Sequence, residues 1–419
     1  MSENSRVASL DWIAPSLIVL TNCGHCVNVK GMLSERSQVP TNPAERPRQA
    51  ASSPVLVSHS DQLNFRRVLL MTIVCYLVYA VTIALLANYR EIVWSFGDNS
   101  PYVRIATAIE HWNFADLHVK LFWGLPYTMA GVSSVTRLSN LNALLAISIL
   151  ASLVTIALAF RLWGGWVTLA FVILSREWLE RSLLGGAEPM FLALLFAAFL
   201  TARKEKWKVA ALLASLATVV RPMGVFGLAG IGFALLLRRE YAKFLWASSI
   251  GLGIGLLYIL PLKLYFGDPM ANVKGYDHAD WNSNSPITFP FAAIVRNALA
   301  GGSTRLNLAR TLVWIVFILV AAALMVKSGR FRAYAQSRPM EATFWALYLL
   351  FLFTYNSSWA WGEFPRFAIP LIPFSAYAVE RWIPRAYWLL FALGVFAAVL
   401  SAAETLGIVS TLGRLRHVL

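Results

Sequence analysis

Residues 189–224 read PMFLALLFAAFLTARKEKWKVAALLASLATVVRPMG. Two uncharged apolar runs, 189–202 and 209–220, flank a segment at 203–208 that holds four basic residues and one acid. The second run ends on Arg221-Pro222, and a further apolar run follows from Gly224. Apolar blocks joined by short polar loops continue in both directions, from residue 66 to beyond residue 400. The composition agrees: of 419 residues 58% are hydrophobic, 13% aromatic and 14% charged, with mean hydropathy +0.61. A soluble domain carries about 45–50% apolar and about 25% charged residues. A soluble multidomain enzyme is therefore excluded, and the low charge with many aromatics excludes a disordered chain. The fold class is an all-α polytopic membrane protein.

The spacing predicts eleven spans, near 68–87, 142–160, 165–175, 189–202, 209–220, 224–237, 244–264, 312–326, 342–355, 367–379 and 386–408. Several are roughly 11–15 residues, too short to cross a ~30 Å hydrocarbon core alone. Short helices are tolerated where their ends line a water-filled cavity. The net charge of +15 and pI near 10.0 divide unevenly among the loops. Loops 203–208, 238–243 and 327–338 hold eleven basic residues and two acids, whereas 176–188, 221–224 and 356–366 hold four of each. The positive-inside rule places the first group in the cytoplasm. The basic excess then sets orientation, and no nucleic-acid partner is implied. Residues 1–64 read as a largely disordered cytoplasmic tail, with Pro, Ser, Asn and charge over 34–62, and without a cleavable signal layout. Residues 65–412 form the membrane domain and 413–419 a short tail. Cys23-Gly24-His25-Cys26 has thioredoxin spacing but lacks the βαβ context that such chemistry needs, and reads as chance.

The same parity puts Asp98, His118, Glu188, Arg221, Asp268, Glu363 and Arg366 on one external side, while mid-span positions are almost free of charge. A transporter places its polar groups near the midplane, so the pattern favours a cavity that opens outward. The first external loop, 90–141, carries an amphipathic stretch at 105–112 and is too long for a simple connector. Asp98, just after the first span, reads either as a general base or as a helix N-cap. Glu188, before Pro189, reads as a site acid or as a first-turn acid on the helix dipole. Arg221 and Arg366 read as anion holders or as snorkelling side chains. His118 stands alone, with a structural hydrogen bond as its default role. Gly251, Gly253 and Gly255 lie inside a span and read as helix-packing residues. Walker, zinc and Ser-His-Asp patterns are not visible in the sequence, and no metal or cofactor is expected.

Several motifs occur in a fixed order. They are Asp98; the run His118-Val119-Lys120-Leu121-Phe122-Trp123-Gly124-Leu125-Pro126-Tyr127; Glu188-Pro189; Arg221-Pro222-Met223-Gly224; Gly267-Asp268-Pro269 with Trp281 and Pro286; and Pro365-Arg366-Phe367 with Pro370 and Pro373. Together, over roughly residues 66–410, they resemble the GT-C membrane glycosyltransferases, and most closely the PIG-V-like mannosyltransferases of glycosylphosphatidylinositol assembly and their bacterial relatives. Gly97 precedes Asp98 where that family usually has Trp. The resemblance implies an inverting, metal-independent transfer of a sugar, mannose in that family, from a polyprenyl-phosphate donor to the hydroxyl of a lipid, glycan or protein acceptor. It implies a multi-pass protein of a bacterial inner membrane or an endoplasmic reticulum membrane, with its active site on the external or lumenal side. In that scheme Asp98 is the base, and Arg366, Arg221 and Lys120 hold the donor phosphate. Glu188, His118, Asp268, Tyr102 and Glu363 position substrate. A polytopic transporter or lipid flippase is the alternative.

Overall fold

A computed structural model describes residues 63–114, 121–272, 274, 287–299, 305–356 and 362–407. Among these the chain is helical, and a single isolated bridge between Ile287 and Tyr355 is the extended pairing present. In chain order the helices are α1 (Phe65–Leu86), α2 (Tyr89–Ser95), α3 (Asn99–His111), α4 (Gly124–Thr136), α5 (Asn140–Trp163), α6 (Gly165–Leu174), α7 (Arg176–Leu183), α8 (Glu188–Arg203) and α9 (Trp207–Val220). They continue as α10 (Val225–Leu237), α11 (Tyr241–Phe266), α12 (Ala292–Leu299), α13 (Arg305–Lys327), α14 (Arg330–Ser337), α15 (Pro339–Thr354), α16 (Phe364–Ala368), α17 (Ile372–Ala378) and α18 (Tyr387–Thr405).

Each of the eleven expected apolar segments falls on helix, but they are not equal. Among the described residues, five helical segments are long and apolar enough to cross a membrane: Phe65–Leu86, Asn140–Trp163, Tyr241–Phe266, Ala309–Lys327 and Tyr387–Thr405. The pair α7 and α8, bent by 106°, brings the number to six if it counts as one broken span. Helices α6, α9 and α15, and the stretch Pro222–Leu237, are apolar but shorter. At 1.5 Å per residue, the ten residues of α6 cover only about 15 Å.

Local chemistry sets the breaks. Asn64, Asn88, Ser139 and Ser175 cap α1, α2, α5 and α7 by accepting from a backbone N–H of the first turn. Helices α1 and α18 run parallel: Arg67 stacks on Tyr387, Gly394 faces Cys75, and Tyr79 hydrogen-bonds Thr405 at 3.1 Å. Helix α8 packs on α5 and α9, with Thr155 Oγ1 donating to the carbonyl of Pro189 at 3.2 Å. One end of the bundle is pinned by Arg203, which donates to buried Glu341 through Nη2 at 2.7 Å and to the Leu162 carbonyl at 2.9 Å. The site lies at the other end, where α1, α9 and α15 finish and α8 and α16 begin. The packing role expected for three glycines of α11 holds for one. Gly251 faces Leu228 and Ser215, but nothing approaches Gly253 or Gly255, because this helix exposes most of its surface.

Candidate active site

Asp98 occupies the N-cap position of α3, yet its side chain makes no cap bond. It accepts instead from Nη2 of Arg366 at 2.9 Å, across 268 residues of chain. The capping role is vacant, and the carboxylate is committed to a long-range pair. Arg366, in the short helix α16, spreads one guanidinium over three carboxylates. Nη2 meets Asp98, Nη1 meets Glu363 Oε2 at 3.3 Å, and Nε meets Glu188 Oε1. Glu188 opens α8, so it is a first-turn acid on the helix dipole as expected. It is also 1% exposed and contacted by two further arginines, Arg221 Nη2 at 3.1 Å and Arg181 Nε at 4.0 Å. A carboxylate so deeply buried stays charged only because these cations surround it. Arg221 does not snorkel: it is 12% exposed, and its guanidinium also lies 5.7 Å from the Phe367 ring centre.

The groups are layered. Asp98 and Glu363 are about a third exposed, at 34% and 35%, and form the mouth. Arg366, Arg181 and Arg221 lie below them, and Glu188 lies at the base. Tyr102, one turn into α3 from Asp98, is buried, and its backbone N–H bonds the Asp98 carbonyl at 3.0 Å. Burial, then the Asp98 charge, pushes its phenol pKa up, so it stays protonated. Burial would also raise the Asp98 carboxyl. The Arg366 charge and hydrogen bond, joined by the Arg181 charge, outweigh that and hold it below the ordinary aspartate value.

Five expected residues therefore meet: Asp98, Glu188, Arg221, Glu363 and Arg366. Asp268 does not join them. It pairs with Lys274 at 2.7 Å and caps its own turn through the Met270 N–H at 2.9 Å. His118, Lys120, Trp281, Pro286 and the Cys23–Cys26 motif lie outside the described residues. Among the described residues no His, Cys, Asp and Glu group could hold a metal ion.

Arg181 was not singled out in the sequence, where it merged into a charge-balanced loop. Helix α7 buries it to 8% exposure and stacks it on Phe96 at 4.5 Å. Two glycines make its place. A Cβ on Gly97, at φ +54°, would stand 2.5 Å from Arg181 Nη1. A Cβ on Gly186 would stand 2.7 Å from Glu188 Oε2 and 2.8 Å from Arg181 Cδ. The available signal was α7 itself: Arg176, Glu177, Glu180 and Arg181 alternate with Trp178, Leu179 and Leu183 between two apolar runs.

Residues 123–354 match the model of glycosyltransferase family 87. The match takes in more than half of the chain, which therefore belongs to this family: it is a glycosyltransferase enzyme built on membrane-capable helices. A comparison with curated proteins finds no match. Arg181, Glu188 and Arg221 fall inside the matched stretch, and Asp98, Glu363 and Arg366 outside it. Membership favours the enzyme over a transporter or flippase. The GT-C and PIG-V-like placements rest on the motifs alone.

Proposed function

We propose that this family 87 glycosyltransferase moves a sugar from a polyprenyl-phosphate donor to an acceptor hydroxyl by a single displacement with inversion, from a cavity open to the external face. One observation carries the reading: a carboxylate about a third exposed, Asp98, stands at the rim of a cluster of three buried arginines gathered over Glu188. The acceptor oxygen forms its bond to the anomeric carbon as the bond from that carbon to the phosphate oxygen breaks. The electron pair leaves on the phosphate, and the hydroxyl proton passes to Asp98. The guanidiniums offset the charge that grows on the departing phosphate. Phosphate leaves readily, so one base suffices, without the second carboxylate that glycoside hydrolysis requires.

Arg366 serves here chiefly to aim Asp98, since three carboxylates already occupy it. Glu188 fixes the arginines, and Tyr102 lends a protonated hydroxyl to the same wall. Mannose as the sugar follows from the name of the PIG-V-like family alone, and the motif order supports a GT-C type of membrane protein that crosses the bilayer many times. A lipid-linked donor agrees with the setting, because a site at the outer surface, cut off from the cytoplasm, needs a donor that travels within the membrane.

The test is transfer from a radiolabelled polyprenyl-phosphate sugar by wild type and Asp98→Asn. The amide keeps the shape and cannot take the proton, so turnover should fall by about 10²–10⁴. Retained turnover removes Asp98 as the base. Transfer from a nucleotide sugar, with none from the lipid-linked donor, removes the donor assignment.

A further inference from the structure

The charges of the cleft permit one step beyond this reading, and the step rests on a phosphate-bearing donor. Among the described residues of the site, Arg181, Arg221 and Arg366 are matched by Asp98, Glu188 and Glu363, so these six charges sum to zero. A donor phosphate brings a further negative charge into a place where unpaired charge is costly. One carboxylate must yield to it. Glu188 is 1% exposed beneath three arginines and has nowhere to go. Asp98 holds Arg366 at 2.9 Å and is needed at the reacting hydroxyl. Glu363 is 35% exposed and the most loosely held, at 3.3 Å from Arg366 Nη1 and 3.9 Å from Arg181 Nη2.

Arg181 points the same way. Its nearest carboxylate oxygens stand at 3.9 and 4.0 Å, beyond a charge-assisted hydrogen bond of 2.7–2.9 Å. It is the least satisfied of the three guanidiniums, and Gly97 keeps its edge clear. A phosphoryl oxygen placed where the Glu363 carboxylate sits would complete both Arg181 and Arg366.

We propose that Glu363 is a resident stand-in for the donor's phosphate. It occupies the place between Arg181 and Arg366 and swings out toward solvent when the phosphoryl group enters. Its return competes with the lipid phosphate product and speeds release. Glu363 thus weakens donor binding while helping turnover, whereas Arg181 is the arginine that takes the phosphate.

The experiment measures binding of farnesyl phosphate, with farnesol as the uncharged control, to the full-length detergent-solubilised protein. The variants are Glu363→Gln, Arg181→Gln and the double substitution, with thermal unfolding as the fold check. Glu363→Gln should bind farnesyl phosphate about tenfold tighter, the scale of one hydrogen bond to a charged group, with farnesol unchanged. Arg181→Gln should weaken farnesyl phosphate by a similar factor, and the double variant should lose the gain. Equal or weaker binding by a folded Glu363→Gln protein overturns the proposal. If that variant does not fold, Glu363→Asp keeps the charge but withdraws it by one methylene. It should tighten binding by a smaller factor, and no change there overturns the proposal. A wild type that binds farnesyl phosphate no better than farnesol overturns the donor reading and this inference together. A wild type that prefers the phosphate, with no gain in Glu363→Gln, overturns this inference alone.

Discussion

A methyl group at position 97 would test the crowding around the base. Gly97 sits at φ +54°, where a side chain costs roughly 1–2 kcal/mol. Its Cβ would also meet Arg181 Nη1 at 2.5 Å. The guanidinium is the far end of a flexible chain and can move aside, so Gly97→Ala should lower stability only by that strain. The displaced Arg181 should show in the donor KM, raised several-fold, with the protein still folded. A second residue-scale prediction concerns pH. The Asp98 carboxyl is held below its ordinary value of 3.8 by Arg366 and Arg181 against the effect of burial. A depressed carboxyl stabilises the fold above its unfolded value, and that contribution disappears as pH falls through the folded value. The base is equally lost only there, so the acid limb of kcat/KM due to Asp98 should lie below the ordinary aspartate range. Arg366→Gln removes the opposing charge and leaves burial, so the limb should move to higher pH in a residual-activity profile. Arg366→Lys should hold it near wild type. Sequence reading left Asp98 balanced between cap and base, and the cap position is indeed where it sits. What the sequence could not give was the partner 268 residues away, because a pairing that distant leaves no local spacing to read.

Helix α7 decides where the arginines can stand. It is only eight residues long, and every residue from Glu177 to Leu183 is buried. Its last turn delivers Arg181 to the cleft, while its first turn is gripped from the other side. Arg310 of α13 meets Glu177 at 3.0 Å and Glu404 of α18 at 2.8 Å, and Arg176 meets Glu180 at 2.6 Å and also Glu404. A charged helix turned 106° from α8 would otherwise have little reason to remain among apolar neighbours. Removing Arg310 leaves Glu177, at 7% exposure, without its cation. A fully buried pair broken in this way costs about 3–5 kcal/mol. Arg310 is 26% exposed, so solvent screening brings the expectation for Arg310→Gln down to about 2 kcal/mol. Thermal unfolding in detergent measures it, and Arg310→Lys should recover part of the loss. The apolar helices around α7 were legible because a run of uncharged residues announces itself locally. Helix α7 was not: its charges resemble those of a solvated loop, and only the packing of α13 and α18 shows that they are inside.

For the whole molecule, the positive charge divides by position. The turn after α8, the turn after α10 and the segment around α14 carry eleven basic side chains against two acids, at the end opposite the cleft. Among the described residues, the three arginines at the cleft are matched one for one by carboxylates. That asymmetry was readable from the loops alone, whereas the lengths of the individual helices were not. A short apolar run looks the same in sequence whether it crosses the bilayer or stops beside a cavity, and among the described residues five helices, or six with the bent pair, are long and apolar enough to cross. Orientation therefore becomes the measurement that joins charge to chemistry. On the positive-inside rule the basic end is expected in the cytoplasm and the cleft outside. Trp112, at the end of α3 with its ring 6.5 Å from that of Tyr265 at the cleft end of α11, is 75% exposed. Glu205, in the basic turn between α8 and α9, has a side chain 68% exposed. Cys75 is buried, so replacing Cys23 and Cys26 by serine leaves a background in which each position can carry a single reporter. A membrane-impermeant maleimide on intact cells should label Trp112→Cys and spare Glu205→Cys, which should react only after permeabilisation. The reverse pattern would put Asp98 and its arginines on the cytoplasmic face. A soluble nucleotide-linked donor could then reach them, and the need for a donor carried in the lipid would disappear.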